Sequence, residues 1–225
     1  MLDHHGGSNS HDARSDALSA YRHRWTPPAA GETRSLLLLH GTGDDEVRFD
    51  AFGAALAEGA VDGAGRLSLR GDVSEGGAAR FFRRKAEGVY DMADLAQRTA
   101  GLERFLGSAY DVYGLAPERT IGVGFSNGAN MLANLVFSHP GRVRRAALLR
   151  PLIPFEPPQT DLFGVSVLLA AGRHDPIAPV AATERLAEAL AARGADVTLR
   201  WSEGGHGLSA EEAPAIRAFH AAAPR

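Results

Sequence analysis

Apolar residues fall into two patterns along the chain: short unbroken runs, and longer stretches with a three-to-four-residue period. Ser35-Leu36-Leu37-Leu38-Leu39-His40 is an unbroken run of strand length, the pattern of a strand buried on both faces. Residues 65–70 form the next strand candidate, and residues 120–124, 145–149, 165–171 and 196–201 follow. Helical periodicity predicts a short amphipathic helix over 48–58. A longer one covers 91–113, carried by Leu95, Thr99, Leu102, Phe105 and Leu106 and ending near Gly114. Further helices are predicted over 127–137, over 180–193 (closed by Gly194) and over 210–222. Residues 17–25 read as an edge strand stopped by Pro27 and Pro28. Strands alternating with helices predict a single α/β domain over residues 17–225, a mostly parallel sheet with helices on both faces. Residues 1–16 are rich in His, Gly, Ser, Asn and Asp without periodicity and read as a disordered polar tail.

Composition narrows this picture. The chain has 225 residues, enough for one sizeable core and little more. A net charge of −3 supplies no basic field for nucleic acid or an anionic membrane surface. The absence of Cys removes disulfides, thiolate metal sites and cysteine nucleophiles, and it fits a reducing, cytoplasmic setting. Lys85 is the only lysine, which leaves Schiff-base chemistry almost nothing to use. No run is long enough for a transmembrane helix, and the first 14 residues contain no apolar signal segment.

In parallel α/β sheets the chemistry lies beyond the carboxyl ends of the strands. Three such ends stand out. Gly124-Phe125-Ser126-Asn127-Gly128 joins an apolar run directly to a helix-compatible segment, the Gly-x-Ser-x-Gly pattern of a nucleophile elbow. Taken alone it also suits a glycine-rich turn in another α/β protein. Asp175 follows the 165–171 run, however, and His206 follows the 196–201 run within Gly204-Gly205-His206-Gly207. The chain order Ser, Asp, His is that of an α/β-hydrolase triad. In it Ser126 is the nucleophile, His206 the base that takes its proton, and Asp175 the acid that orients the imidazole. Two donors are needed for the oxyanion: the backbone N–H of Asn127, and one from the loop His40-Gly41-Thr42-Gly43, assigned to Thr42. Gly41 and Gly43 keep that loop slim enough to reach substrate.

Other readings compete. Asp175-Pro176 could be a plain turn, and His206 between glycines could be a mobile surface histidine. His174 reads as a solvent-facing neighbour, and His40 as a structural residue fixing the oxyanion loop. Asp44, Asp45 and Glu46 could bind a divalent ion, but consecutive carboxylates also suit the first turn of a helix. His4, His5 and His11 in the tail could bind metal adventitiously. The long connection 71–88 carries Arg80-Phe81-Phe82-Arg83-Arg84. Phe81 and Phe82 are either a wall of the substrate pocket or anchors for the loop. Gly43, Leu152 and Ile153 are the remaining candidates for contact with substrate. No insertion long enough for a lid is present.

The set His40-Gly41-Thr42-Gly43, Gly124-Phe125-Ser126-Asn127-Gly128, Asp175 and Gly205-His206-Gly207 resembles the phospholipase/carboxylesterase family of α/β-hydrolases. Arg80 to Arg84 and Leu149-Arg150-Pro151-Leu152-Ile153-Pro154 look like its branch of small bacterial esterases that includes the hydroquinone-associated hydrolases. The resemblance runs from about Ser35 to the C-terminus. It implies no metal or organic cofactor, and it is not specific for substrate. It gives Ser126, Asp175 and His206 the triad roles and Thr42 and Asn127 the oxyanion positions. The expected activity is hydrolysis of small short-acyl or aromatic carboxylic esters. Lysophospholipase, acyl-protein thioesterase, hydrolase of quinone or catechol metabolism, and a non-catalytic ligand-binding protein are the alternatives. The expected partner is a small-molecule ester, with no nucleic acid and no membrane insertion. A homodimer through an edge strand or exposed helix is compatible with the pattern, which does not select it.

Overall fold

The computed structural model describes residues 18–208 and 213–222. The tail expected over residues 1–16, with its histidines, lies outside them. A seven-stranded sheet runs in the order β1 (His23–Thr26), β3 (Gly65–Leu69), β2 (Ser35–Leu39), β8 (Thr120–Phe125), β9 (Arg145–Leu149), β10 (Ser166–Gly172), β11 (Asp196–Ser202). All neighbours are parallel except β1, which pairs antiparallel with β3 at the edge. Among the described residues five longer α-helices accompany it: α1 (Glu46–Ala57), α2 (Met92–Tyr113), α3 (Asn127–Ser138), α4 (Val180–Ala192) and α5 (Ala213–Ala221). Among the described residues no helix is long and apolar enough to cross a membrane.

The unbroken leucine run has a direct cause. Along β2, Leu37 and Leu39 face the core shared with α2, α3 and α4, while Leu36 and Leu38 face the core shared with α1 and α5. Successive side chains of a strand point to opposite faces, so a strand covered on both sides is apolar at consecutive positions rather than alternate ones. Phe49 and Leu56 of α1 and Ile216 of α5 fill the second core.

Helix ends follow ordinary capping chemistry. Asp45 accepts from the backbone N–H groups of Val47 and Arg48 and caps α1, which therefore begins at Glu46, two residues before the predicted start. Asp91 caps α2 by accepting from Asp94, and Gly114 closes that helix in the left-handed region.

One expectation needs correction and one segment gains definition. The edge strand is confined to His23–Thr26, and Leu18 and Ser19 are helical. The 71–88 connection is structured as two antiparallel hairpins, β4 (Val73–Glu75) with β5 (Ala78–Arg80), and β6 (Arg84–Ala86) with β7 (Val89–Tyr90). Strands of two or three residues are too short to show alternation in a sequence. Both hairpins sit outside the main sheet, between β3 and α2 in the chain.

Candidate active site

At the carboxyl end of β8 the chain turns sharply into α3 through Ser126, whose φ is 51° and ψ −115°. Such a backbone is strained by about 1–3 kcal/mol in a residue other than glycine. The surroundings hold it: the Ser126 N–H donates to Leu149 O of β9 at 2.9 Å, and its carbonyl accepts from the Asn130 N–H at 2.9 Å. Glycine is required beside it. A Cβ on Gly128 would come within 2.1 Å of Leu39 O, and one on Gly124 within 2.7 Å of the Ala129 backbone. Ser126 stands at the N-terminus of α3, the end of a helix that favours negative charge.

Ser126, His206 and Asp175 meet. Ser126 Oγ lies 2.8 Å from His206 Nε2, and His206 Nδ1 lies 2.8 Å from Asp175 Oδ2. The carboxylate is buried, and its second oxygen accepts from the backbone N–H groups of Ile177 at 2.8 Å and Ala178 at 3.0 Å. Asp175 is thus held by its own turn and presents one oxygen to the imidazole. The bonds assign the tautomer: Nδ1–H donates to Asp175, leaving Nε2 to accept from the serine hydroxyl. His206 remains partly open to solvent, with the Phe125 ring against it at 5.6 Å.

The loop after β2 approaches from the other flank. His40 is fully buried. Its Nδ1–H donates to Gly41 O at 2.6 Å and its Nε2 accepts from the Gly71 N–H at 3.0 Å, which ties the Thr42 loop to the chain leaving β3. Burial pushes the His40 imidazole below its ordinary 6.5, the direction that keeps Nε2 an acceptor. The hairpin β4–β5 braces the same loop. Gly43 N–H donates to Ala79 O at 3.0 Å, Arg80 Nη1 to Thr42 Oγ1 at 2.8 Å, and Phe81 N–H to Asn127 Oδ1 at 2.7 Å. Both residues expected to supply oxyanion donors are therefore gripped by residues 79–81.

A cavity of about 240 Å³ opens at Ser126, with Thr42, Asn127, Leu152 and His206 in its wall. Phe81 and Phe82 are not in that wall. Both are fully buried, Phe81 against His40 at 4.9 Å and Phe82 edge-on to Tyr90 at 4.8 Å. They anchor the hairpins to the core, and the substrate-contact reading of these two residues is corrected. Gly43 is likewise absent from the wall, its N–H spent on Ala79. Ile153 lines a neighbouring cavity of about 510 Å³ with Pro154, Phe155 and Leu186, and Leu152 and Ile177 border both cavities.

The three carboxylates considered for a metal are otherwise engaged. Asp45 caps α1, Asp44 pairs with Arg48 at 2.7 Å, and Glu46 pairs with Arg22 at 2.6 Å. His174 is exposed and bonded to Glu203 O.

Several wall residues escaped the sequence reading in this role, among them Tyr90, Asn130, Arg150 and Ile177. Asn130 has a legible signal, since it stands four residues after Ser126 on the same helical face. Its side chain accepts from the Leu152 N–H and donates to the Tyr90 hydroxyl, each at 2.7 Å, and Tyr90 donates on to Leu152 O. Among the described residues Arg150 joins Ser126 as a non-glycine residue with positive φ, at 56°.

No family model matches the chain. MhqD of Bacillus subtilis (strain 168), named as a hydrolase, is 37% identical over 186 residues, which cover 82% of this chain and 91% of MhqD. A carboxylesterase of Bacillus cereus is 35% identical with a TM-score of 0.83, over 95% of this chain and 98% of that one. Protein Atu2452 of Agrobacterium tumefaciens, of unknown function, is 44% identical with a TM-score of 0.82, over 92% of this chain and 99% of its own.

Proposed function

The chain belongs to the phospholipase/carboxylesterase family of α/β-hydrolases and is an ester hydrolase; from that premise we propose that it works as a serine carboxylesterase on small esters, through an acyl-enzyme on Ser126. The observation that carries the reading is the unbroken relay from Ser126 Oγ to His206 Nε2 and from His206 Nδ1 to Asp175 Oδ2, both links 2.8 Å. Ser126 Oγ attacks the ester carbonyl carbon while His206 Nε2 takes the hydroxyl proton. The carbonyl oxygen, now negative, is met by the backbone N–H groups of Asn127 and Thr42. Loss of one such donor lowers the rate about 100- to 1000-fold. His206 returns the proton to the departing alcohol, the C–O bond breaks, and the acyl group stays on Ser126. Water then adds to the acyl carbon as His206 takes its proton, and the acid leaves with Ser126 restored.

The size of the cavity at Ser126 supports small or slim acyl and aromatic groups. A second reading, longer acyl chains as in a lysophospholipase or acyl-protein thioesterase, draws support from the adjoining larger cavity lined by Leu152, Ile153, Phe155 and Ile177. Hydrolysis of a p-nitrophenyl ester series from acetate to palmitate separates the two, with Ser126→Ala as control. Activity peaking at short chains and lost in the variant is the expected result. A peak at long chains would select the second reading. Saturable binding without release of coloured alcohol would indicate a ligand-binding protein.

A further inference from the structure

The structure assigns a third participant to the base side of this site: we infer that Arg150 is a positioning residue that fixes where His206 stands. The inference rests on the reading of His206 as general base.

Arg150 directly follows β9, and three features place it at a junction. The carbonyl of the preceding residue, Leu149, accepts from the Ser126 N–H at 2.9 Å. Its own N–H donates to Ala170 O of β10 at 2.8 Å. Its side chain, only 1% exposed, crosses to the turn that carries the base. There Nε donates to Gly205 O at 2.8 Å and Nη2 to Gly207 O at 3.1 Å, the two carbonyls that flank His206. Nη1 donates to Ala170 O and Nη2 also to Ser202 Oγ, each at 3.1 Å, which references the turn to the ends of β10 and β11.

The turn needs such a hold. Backbone hydrogen bonds join it to the Asp175 turn from Arg173 N–H to Ser202 O at 2.9 Å and from His174 N–H to Gly204 O at 3.1 Å. From Gly205 onward the chain is Gly-His-Gly, the composition with the least intrinsic preference for one conformation. The guanidinium takes over at that point. Its planar fork presents several donors in fixed directions, so it can set the spacing of two carbonyls. Close packing reinforces the register: a Cβ on Gly172 would lie 2.4 Å from Gly205 O, so β10 must end in glycine for that carbonyl to come in. Arg150 itself holds a left-handed φ of 56°, an uncommon conformation for a residue other than glycine and one that its surroundings must impose.

The test uses Arg150→Gly, since glycine takes a φ of 56° without strain, beside Arg150→Lys, which keeps a cation but loses the fork. With p-nitrophenyl acetate the expected result is a kcat lower by about 100-fold in Arg150→Gly, the scale of an ångström-sized misplacement, with KM little changed. Millimolar guanidinium should restore part of that kcat, and should restore none in Ser126→Ala. Because an inert core arginine would also matter to stability, a second readout is taken on resting protein. The low-field proton resonance of His206 Nδ1–H should broaden or vanish in Arg150→Gly and return with guanidinium. Should Arg150→Gly not fold, Arg150→Lys carries the same two readouts, with a smaller loss expected. A folded variant with wild-type kcat and an unmoved resonance overturns the inference. The resonance needs no substrate, so a wild-type protein that turns over no ester but still shows the Arg150-dependent change would sink the esterase reading and leave this one standing.

Discussion

Arg80 and Arg150 line the same cavity and are buried to nearly the same degree, at 4% and 1% exposure. They hold their surroundings in different ways. Arg150 stands at the end of a central strand and donates to carbonyls and a hydroxyl of β10, β11 and the His206 turn. Arg80 ends β5 of an appended hairpin and divides its donors among Thr42 Oγ1, Phe82 O and the partly exposed Glu75 carboxylate at 3.2 Å. Burial pulls the Arg80 guanidinium below its ordinary range, against the help Glu75 gives. The side of the site proposed to transfer the proton is thus referenced to the main sheet, and the side expected to hold the oxyanion is referenced to a hairpin outside it. A change in the hairpin can reshape the substrate side without touching the relay.

The sharpest way to break the sheet-referenced side is Asp175→Asn. The asparagine oxygen can still accept from Ile177 and Ala178, so folding should survive. Its NH₂ opposes His206 Nδ1–H, however, and kcat should fall about 10,000-fold through the wrong tautomer. Steady-state kinetics beside a melting curve checks this, and near-wild-type kcat would mean that Asp175 is not the acid. The hairpin side breaks differently. Phe82→Ala empties a fully buried site and should cost about 3–5 kcal/mol of stability, read by urea unfolding, with the preference along the ester series unchanged. A shifted preference at constant stability would restore Phe82 to the pocket wall.

A gentler change on that side is Thr42→Ala. It removes the hydroxyl that accepts from Arg80 but keeps the Thr42 N–H, so a loss of about 1–2 kcal/mol in the transition state, roughly tenfold in kcat, is expected. A loss as large as that of a whole oxyanion donor would show that the side chain itself meets substrate. The smallest effect concerns pH. The folded His40 lies below 6.5, so as pH falls through that value the unfolded chain binds its proton first and stability drops. His220 on α5, held down to about 4 chiefly by burial, adds a slope of the same sign. The difference between wild type and His40→Gln therefore isolates the loop: the variant's melting temperature should depend less steeply on pH below 6.5. Equal slopes would separate His40 from the acid sensitivity of the oxyanion side.

What could be read from the chain follows the same division. Strands β2, β8, β9 and β10 were legible within one or two residues, because two-sided burial leaves continuous apolar runs, whereas the edge strand β11 showed through the alternation of Val197, Leu199 and Trp201 with polar residues. The candidate triad was legible because its three residues sit shortly after strands β8, β10 and β11, where the backbone leaves the sheet. The hairpins were not, since β7 has two residues and β4, β5 and β6 three each. Phe81 and Phe82 stayed ambiguous because aromatic residues beside arginines suit both a pocket wall and an anchor. Only their full burial decides it. Arg150 read only as part of the Leu149-to-Pro154 segment that resembles the small bacterial esterases. Nothing local in Leu149-Arg150-Pro151 tells that its partners lie more than fifty residues downstream, at Gly205 and Gly207. Contacts of that separation belong to topology, which strand order has to supply first.

The measurement that tests the central claim most directly is the mass of the protein quenched during turnover of p-nitrophenyl acetate. The account predicts one acetyl group, carried on a peptide containing Ser126, formed in step with a burst of p-nitrophenol and absent from Ser126→Ala. Turnover that persists in Ser126→Ala, or an acetyl group on another residue, would contradict it.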